Sequence, residues 1–101
     1  MARMTLDELK NRRLEAMSDA ERAEFDEAYD ATRLALDVGE QIRDAREEAG
    51  LSQRDLAKKM GTSQAAIARL EAGGVGATLT TLHRVAVALG RRVTVELSEA
   101  G

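Results

Sequence analysis

The segment Gln53-Arg-Asp-Leu-Ala-Lys-Lys-Met-Gly-Thr-Ser-Gln64-Ala-Ala-Ile-Ala-Arg-Leu70 reads as two short helices joined by a tight turn. Leu56, Met60, Ile67 and Leu70 fall on the inward faces at helical spacing and pin the angle between the two helices. Ala57 must be small because the second helix crosses closely over it. Gly61 supplies the positive φ that the turn demands. Gln64, Ala65, Ala68 and Arg69 are left facing outward, small or amide-bearing side chains suited to a groove.

Outward from this hairpin, the helix boundaries are written by caps and glycines, since the chain has no proline. Ser52 caps a helix over Gln53–Met60 that ends at Gly61, and Ser63 caps one over Gln64–Ala72 that ends at Gly73 and Gly74. A glycine-rich loop through Ala77 follows, then Thr78 opens a helix over Leu79–Leu89 that Gly90 stops. On the N-terminal side, Thr5 with Glu8 and Ser18 with Glu21 have capping-box spacing. The first opens a helix over Leu6–Ala16 whose apolar positions Leu6, Leu9, Leu14 and Met17 fit one face poorly, so it is marginal alone and suited to ordering on a partner. The second opens a longer helix with Phe25, Tyr29 and Leu36 on one side and Leu34, Val38 and Ile42 on another. Asp37 with Glu40 forms a further capping box beside Gly39, so this helix either restarts there or runs on to Ala49 before Gly50. At the C-terminal end Val93, Val95 and Leu97 alternate with Thr94, Glu96 and Ser98, the period of a half-buried strand. A lone strand needs a partner; pairing with its own copy in a two-fold homodimer would bury the three apolar residues against the helix over Leu79–Leu89.

The composition narrows the function. The net charge of −3 divides unevenly: residues 1–37 carry 6 basic and 10 acidic side chains, and residues 38–101 carry 9 and 8. Within Ser52–Leu70, Arg54, Lys58, Lys59 and Arg69 oppose only Asp55, which places positive charge where phosphate contact needs it. The absence of cysteine excludes disulfides, thiolate metal sites and cysteine nucleophiles. No apolar run approaches a membrane span or a signal peptide, which leads us to expect a cytosolic protein without membrane contact. His83 is the single histidine, with no nucleophile motif and no second ligand at a metal spacing, so no enzyme, cofactor or metal site is expected. The acidic run Asp19, Glu21, Glu24, Asp26, Glu27 and Asp30 reads as a solvated or partner-facing surface.

The chain resembles the lambda-repressor-like, or Xre, helix-turn-helix family over Val38–Gly90. The resemblance rests on Ile42, Arg46, Gly50, Leu51-Ser-Gln53, Leu56-Ala57, Gly61-Thr-Ser-Gln64, Ile67, Leu70-Glu71, Gly73, Leu79, Leu82, Ala86 and Leu89-Gly90. A glycine-turned hairpin also occurs in ordinary bundles; Ala57, Gly61 and Gln64 together in register set this one apart. The resemblance implies that Gln64–Leu70 lies in the major groove, with Gln64 paired to an adenine and Ala65 against a thymine methyl. It also implies that Gln53 and Ser63 hold phosphates, that Arg54 and Lys58 add unspecific affinity, and that Arg46 and Glu71 form a structural ion pair. Thr62, Ala68 and Arg69 complete the candidate DNA-contacting set.

The whole layout is similar to HigA-type antitoxins, with a charged N-terminal arm, a long helix, an Xre domain and an ending like Leu89-Gly-Arg-Arg-Val-Thr-Val-Glu-Leu97. The implied fold is all-α: a lambda-repressor-like bundle with an N-terminal helical extension and one short C-terminal β-strand. Residues 1–37 would be an acidic toxin-binding arm, 38–90 the DNA-binding domain and 91–101 a dimerisation strand. The implied partners are an operator duplex, a basic HigB-type ribonuclease toxin and a second copy of the chain. Leu6, Leu9, Leu14, Phe25 and Tyr29 are the candidate toxin contacts. The alternative is a plain Xre-family repressor without a toxin, whose N-terminal segment dimerises or packs. A pure adaptor would require Gln64 and Arg69 to be idle.

Overall fold

Five helices follow one another where the caps predict them: α1 Leu6–Ala16, α2 Asp19–Glu48, α3 Gln53–Met60, α4 Gln64–Glu71 and α5 Leu79–Ala88. The computed structural model describes residues 5–74 and 77–99; Val75 and Gly76 of the glycine-rich loop lie outside the described residues. The chain divides into two units, Met1–Arg33 and Leu34–Gly101.

In the first unit the Thr5/Glu8 capping box forms in both directions, with Glu8 N–H donating to Thr5 Oγ1 at 3.1 Å and Thr5 N–H to Glu8 Oε2 at 3.3 Å. Ser18 accepts from Glu21 N–H at 3.2 Å and opens α2. No residue of α1 is buried, in keeping with its scattered apolar positions.

In the second unit Leu56 and Ile67 are completely buried, and Ile42, Ala57, Leu70 and Val85 close the core around them. Val38, Met60, Leu82, Ala88 and Leu89 pack on its edge. Helix α3 packs on both α4 and α5. The α3–α4 turn is a Schellman motif: Gly61, at φ 66°, donates to Lys58 O, and Thr62 N–H reaches back to Ala57 O at 2.9 Å. The same pair of bonds, around Gly50, Gly73 and Gly90, ends α2, α4 and α5, whereas α1 ends in extended backbone at Met17.

The restart considered at Asp37 does not occur, and α2 is continuous to Glu48. Gly39 serves a different purpose. It is buried against the end of α4, and a Cβ on it would lie 2.5 Å from Glu71 O and 2.7 Å from Leu70 O. Only a residue without a side chain lets the two backbones come this close.

The predicted C-terminal β-strand is absent. The described residues are all-α, and residues 91–99 carry no regular secondary structure. A strand is made by its ladder, and no other segment among the described residues offers a partner edge. Nor are the three alternating apolar residues buried against α5. Val93 is half-buried in the groove between α2 and α5, whereas Val95 is 70% and Leu97 96% exposed. Arg91, just after α5, pairs instead with Glu48 at the end of α2.

Candidate nucleic-acid interface

Ser63 ends the turn in extended backbone and caps α4 by accepting from Ala66 N–H at 3.2 Å, so its oxygen serves the helix first. Gln64, the first residue of α4, is thereby held at an exposed helix start. Ala65 and Arg69 are exposed on the same helix and Ala68 is half-buried. On α3, Arg54 and Lys58 are exposed one turn apart, and Thr62 is exposed in the turn.

Three of these residues meet. Arg54 Nε donates to Gln64 Oε1 at 3.1 Å, and Gln64 Nε2 lies 3.5 Å from Gln53 Oε1. Gln53 in turn donates from Nε2 to Glu71 Oε1 at 3.3 Å. Glu71 is the buried end of this chain of contacts: Arg46 donates to its carboxylate from Nε at 2.7 Å and from Nη2 at 2.9 Å, and from Nη1 to Leu51 O at 2.8 Å. The bidentate pair is the strong form of a charge-assisted contact, and no buried side-chain nitrogen or oxygen among the described residues lacks a partner. Burial pushes the Glu71 carboxyl up, but the bonds from Arg46 and Gln53 and the charges of Arg46 and Arg43 outweigh it and hold the group below its ordinary value. Arg46 is raised, chiefly by its bond to Glu71. Asp55 is lowered by hydrogen bonds from Ser52, backbone first, which complete the α3 capping box.

Two arginines were not singled out from the sequence. Arg43 stands half-exposed with Nε 3.6 Å from Glu71 Oε1; its spacing of three from Arg46 along α2 was the available signal. Arg84 of α5 donates to Met60 O and, with Thr62, Arg69 and Thr81, lines a shallow cleft beside α4. That neighbourhood has no sequence signal, because it depends on how α5 crosses α3.

The five candidate toxin contacts all lie in the first unit. Leu6 is 85% exposed, Leu9 and Tyr29 are exposed, and Leu14 and Phe25 are half-buried. Phe25 and Tyr29 stack with centroids 6.4 Å apart, and Lys10 Nζ lies 3.8 Å over the Tyr29 ring, so α1 and the start of α2 meet through a cation–π contact.

A family model described as helix-turn-helix matches residues 42–95. The chain belongs to the helix-turn-helix family. An uncharacterised HTH-type transcriptional regulator of Methanothermobacter thermautotrophicus is 44% identical over 50 residues, which are 50% of this chain and 72% of the relative. Among solved structures, a toxin-antitoxin module from Streptococcus pneumoniae matches at TM-score 0.51 and 32% identity, covering 90% of this chain and 92% of the matched one. This helix-turn-helix protein is accordingly a DNA-binding regulator, not an enzyme, and its structure is related to a toxin-antitoxin module. Every candidate DNA contact from Gln53 to Arg69 falls inside the helix-turn-helix match, and the five apolar and aromatic residues of the first unit fall outside it. Among the described residues no helix is long and apolar enough to cross a membrane.

Proposed function

We propose that this chain is an antitoxin that represses its own operon and neutralises a basic HigB-type ribonuclease toxin. The observation that carries this reading is the extent of the likeness to the toxin-antitoxin module, which takes in nearly the whole chain and not the helix-turn-helix alone. In this reading Gln64 reads an adenine edge, Ala65 meets a thymine methyl, and Arg54, Lys58, Thr62, Ser63 and Arg69 lie along the phosphates in the bacterial cytosol or nucleoid. Ala68, half-buried, keeps the helix close to the groove floor. Two copies would place their recognition helices on half-sites about one DNA turn apart. The first unit supplies the toxin-binding surface, with Leu6, Leu9 and Leu14 on α1 and Phe25 and Tyr29 within the acidic run Asp19 to Asp30 of α2. Negative charge there complements a cationic nuclease surface and speeds association with it.

The test is co-expression with the product of the neighbouring gene, followed by purification and a growth assay. Co-purification with relief of the neighbour's toxicity supports the antitoxin. A neighbour that is neither toxic nor bound leaves a plain helix-turn-helix repressor, the reading favoured by a family match confined to residues 42–95.

A further inference from the structure

We infer that Arg54 is a positioning residue for base recognition: its Nε–H fixes which way the Gln64 amide faces, and so sets which base Gln64 prefers. The inference rests on the proposal that Gln64 reads a base. A glutamine amide offers two acceptor lone pairs on oxygen and two donor protons on nitrogen, and its two orientations look alike in shape but opposite in hydrogen bonding. Here both ends are engaged. Arg54 Nε donates to Gln64 Oε1 at 3.1 Å, and Gln64 Nε2 faces Gln53 Oε1 at 3.5 Å. Turning the amide over would set N–H against N–H at Arg54 and oxygen against oxygen at Gln53. One lone pair and one N–H remain free in the observed orientation, and that is the set needed for the N6 and N7 edge of adenine.

The Arg54 contact is the shorter of the two and points along a fixed N–H direction, so it does most of the orienting. Gln53 alone would hold the amide weakly, because its Oε1 lies 3.5 Å away, at the outer limit of a hydrogen bond. The placement of Arg54 adds an independent reason. It sits in the first turn of α3, where a cation works against the helix dipole. A phosphate contact can be made from many exposed positions, whereas Arg54 is placed where its Nε–H reaches the first residue of α4.

The two roles separate experimentally. A residue that only attracts phosphate weakens binding to all sequences alike, and a residue that orients the reader changes the ratio between sequences. Wild-type protein would be used to select a preferred site from a randomised duplex library. The position whose preference disappears in Gln64→Ala then identifies the base read by the amide. Arg54→Met, which keeps the stem as far as the Nε position and removes the donor together with the charge, should lower discrimination at that position about five- to tenfold, beyond any uniform loss of affinity. At the positions whose preference survives Gln64→Ala, the same substitution should leave the ratios unchanged. Uniform weakening with an intact ratio overturns the inference, and so does an equal loss of ratio at the positions that do not depend on Gln64. A library from which wild type enriches no sequence overturns the reading of Gln64 itself, a result distinct from either.

Discussion

Arg46 and Glu71 are only 9% and 3% exposed and share two hydrogen bonds, so removing either strands a charge away from water. Arg46→Ala should therefore cost about 3–5 kcal/mol of stability, where an exposed pair would cost about 0–1. Denaturant melts measure this, and a midpoint equal to wild type would contradict the buried pair. The same carboxylate makes stability depend on pH. Its folded-state pKa is lowered, so its contribution is complete above the unfolded value of about 4.3 and is lost as pH falls through the folded one. Asp55 shifts in the same direction and adds to the acid side. Glu71→Gln should begin less stable at neutral pH and lose less on acidification, which thermal melts at pH 6 and pH 3 would show. Gln64→Ala touches no core contact. It should leave the melting temperature unchanged while weakening operator binding by about 1–3 kcal/mol at one base position in each half-site.

Between elements, the decisive approach is that of α2 to the end of α4 at Gly39. An alanine there gains about 1 kcal/mol of helix propensity over glycine, but its methyl would meet two backbone carbonyls that cannot rotate away. Overpacking of this kind costs about 1–3 kcal/mol, so the expected sign for Gly39→Ala is destabilising. A higher melting temperature would mean that α2 can lift off α4 freely. The consequence reaches the proposed DNA-reading site, because Glu71 sits at that junction and its carboxylate holds Gln53 behind Gln64.

At the scale of the whole molecule, the buried hydrophobic core among the described residues is drawn from Ile42 to Ala86, and nothing in α1 is buried. On the proposed antitoxin reading, deleting Met1–Asp30 should spare operator binding and abolish neutralisation of the toxin, with gel shift and growth rescue as the two readouts. Growth rescued by the truncated chain would move the toxin-binding surface into the second unit.

Helix termini were legible in the sequence because a cap acts within one turn: Thr5 reaches Glu8, Ser52 reaches Asp55 and Ser63 reaches Ala66. The hairpin core was legible for a similar reason, since helical periodicity alone puts Leu56, Ala57, Ile67 and Leu70 inside. Beyond the Arg46–Glu71 pair, which the family resemblance implied, contacts made across the fold were not. That Gln53 would bind Glu71, 18 residues away, that Arg54 would turn toward Gln64 and that Gly39 would mark a close approach depend on where two helices cross. The alternation at Val93, Val95 and Leu97 misled because it reports a local period, whereas a strand exists only through a partner edge. Sequence by itself determined where the helices start and stop and which faces turn inward, through interactions spanning three or four residues. Only the tertiary structure decided which side chains meet, because those distances are set by helix packing and not by spacing along the chain.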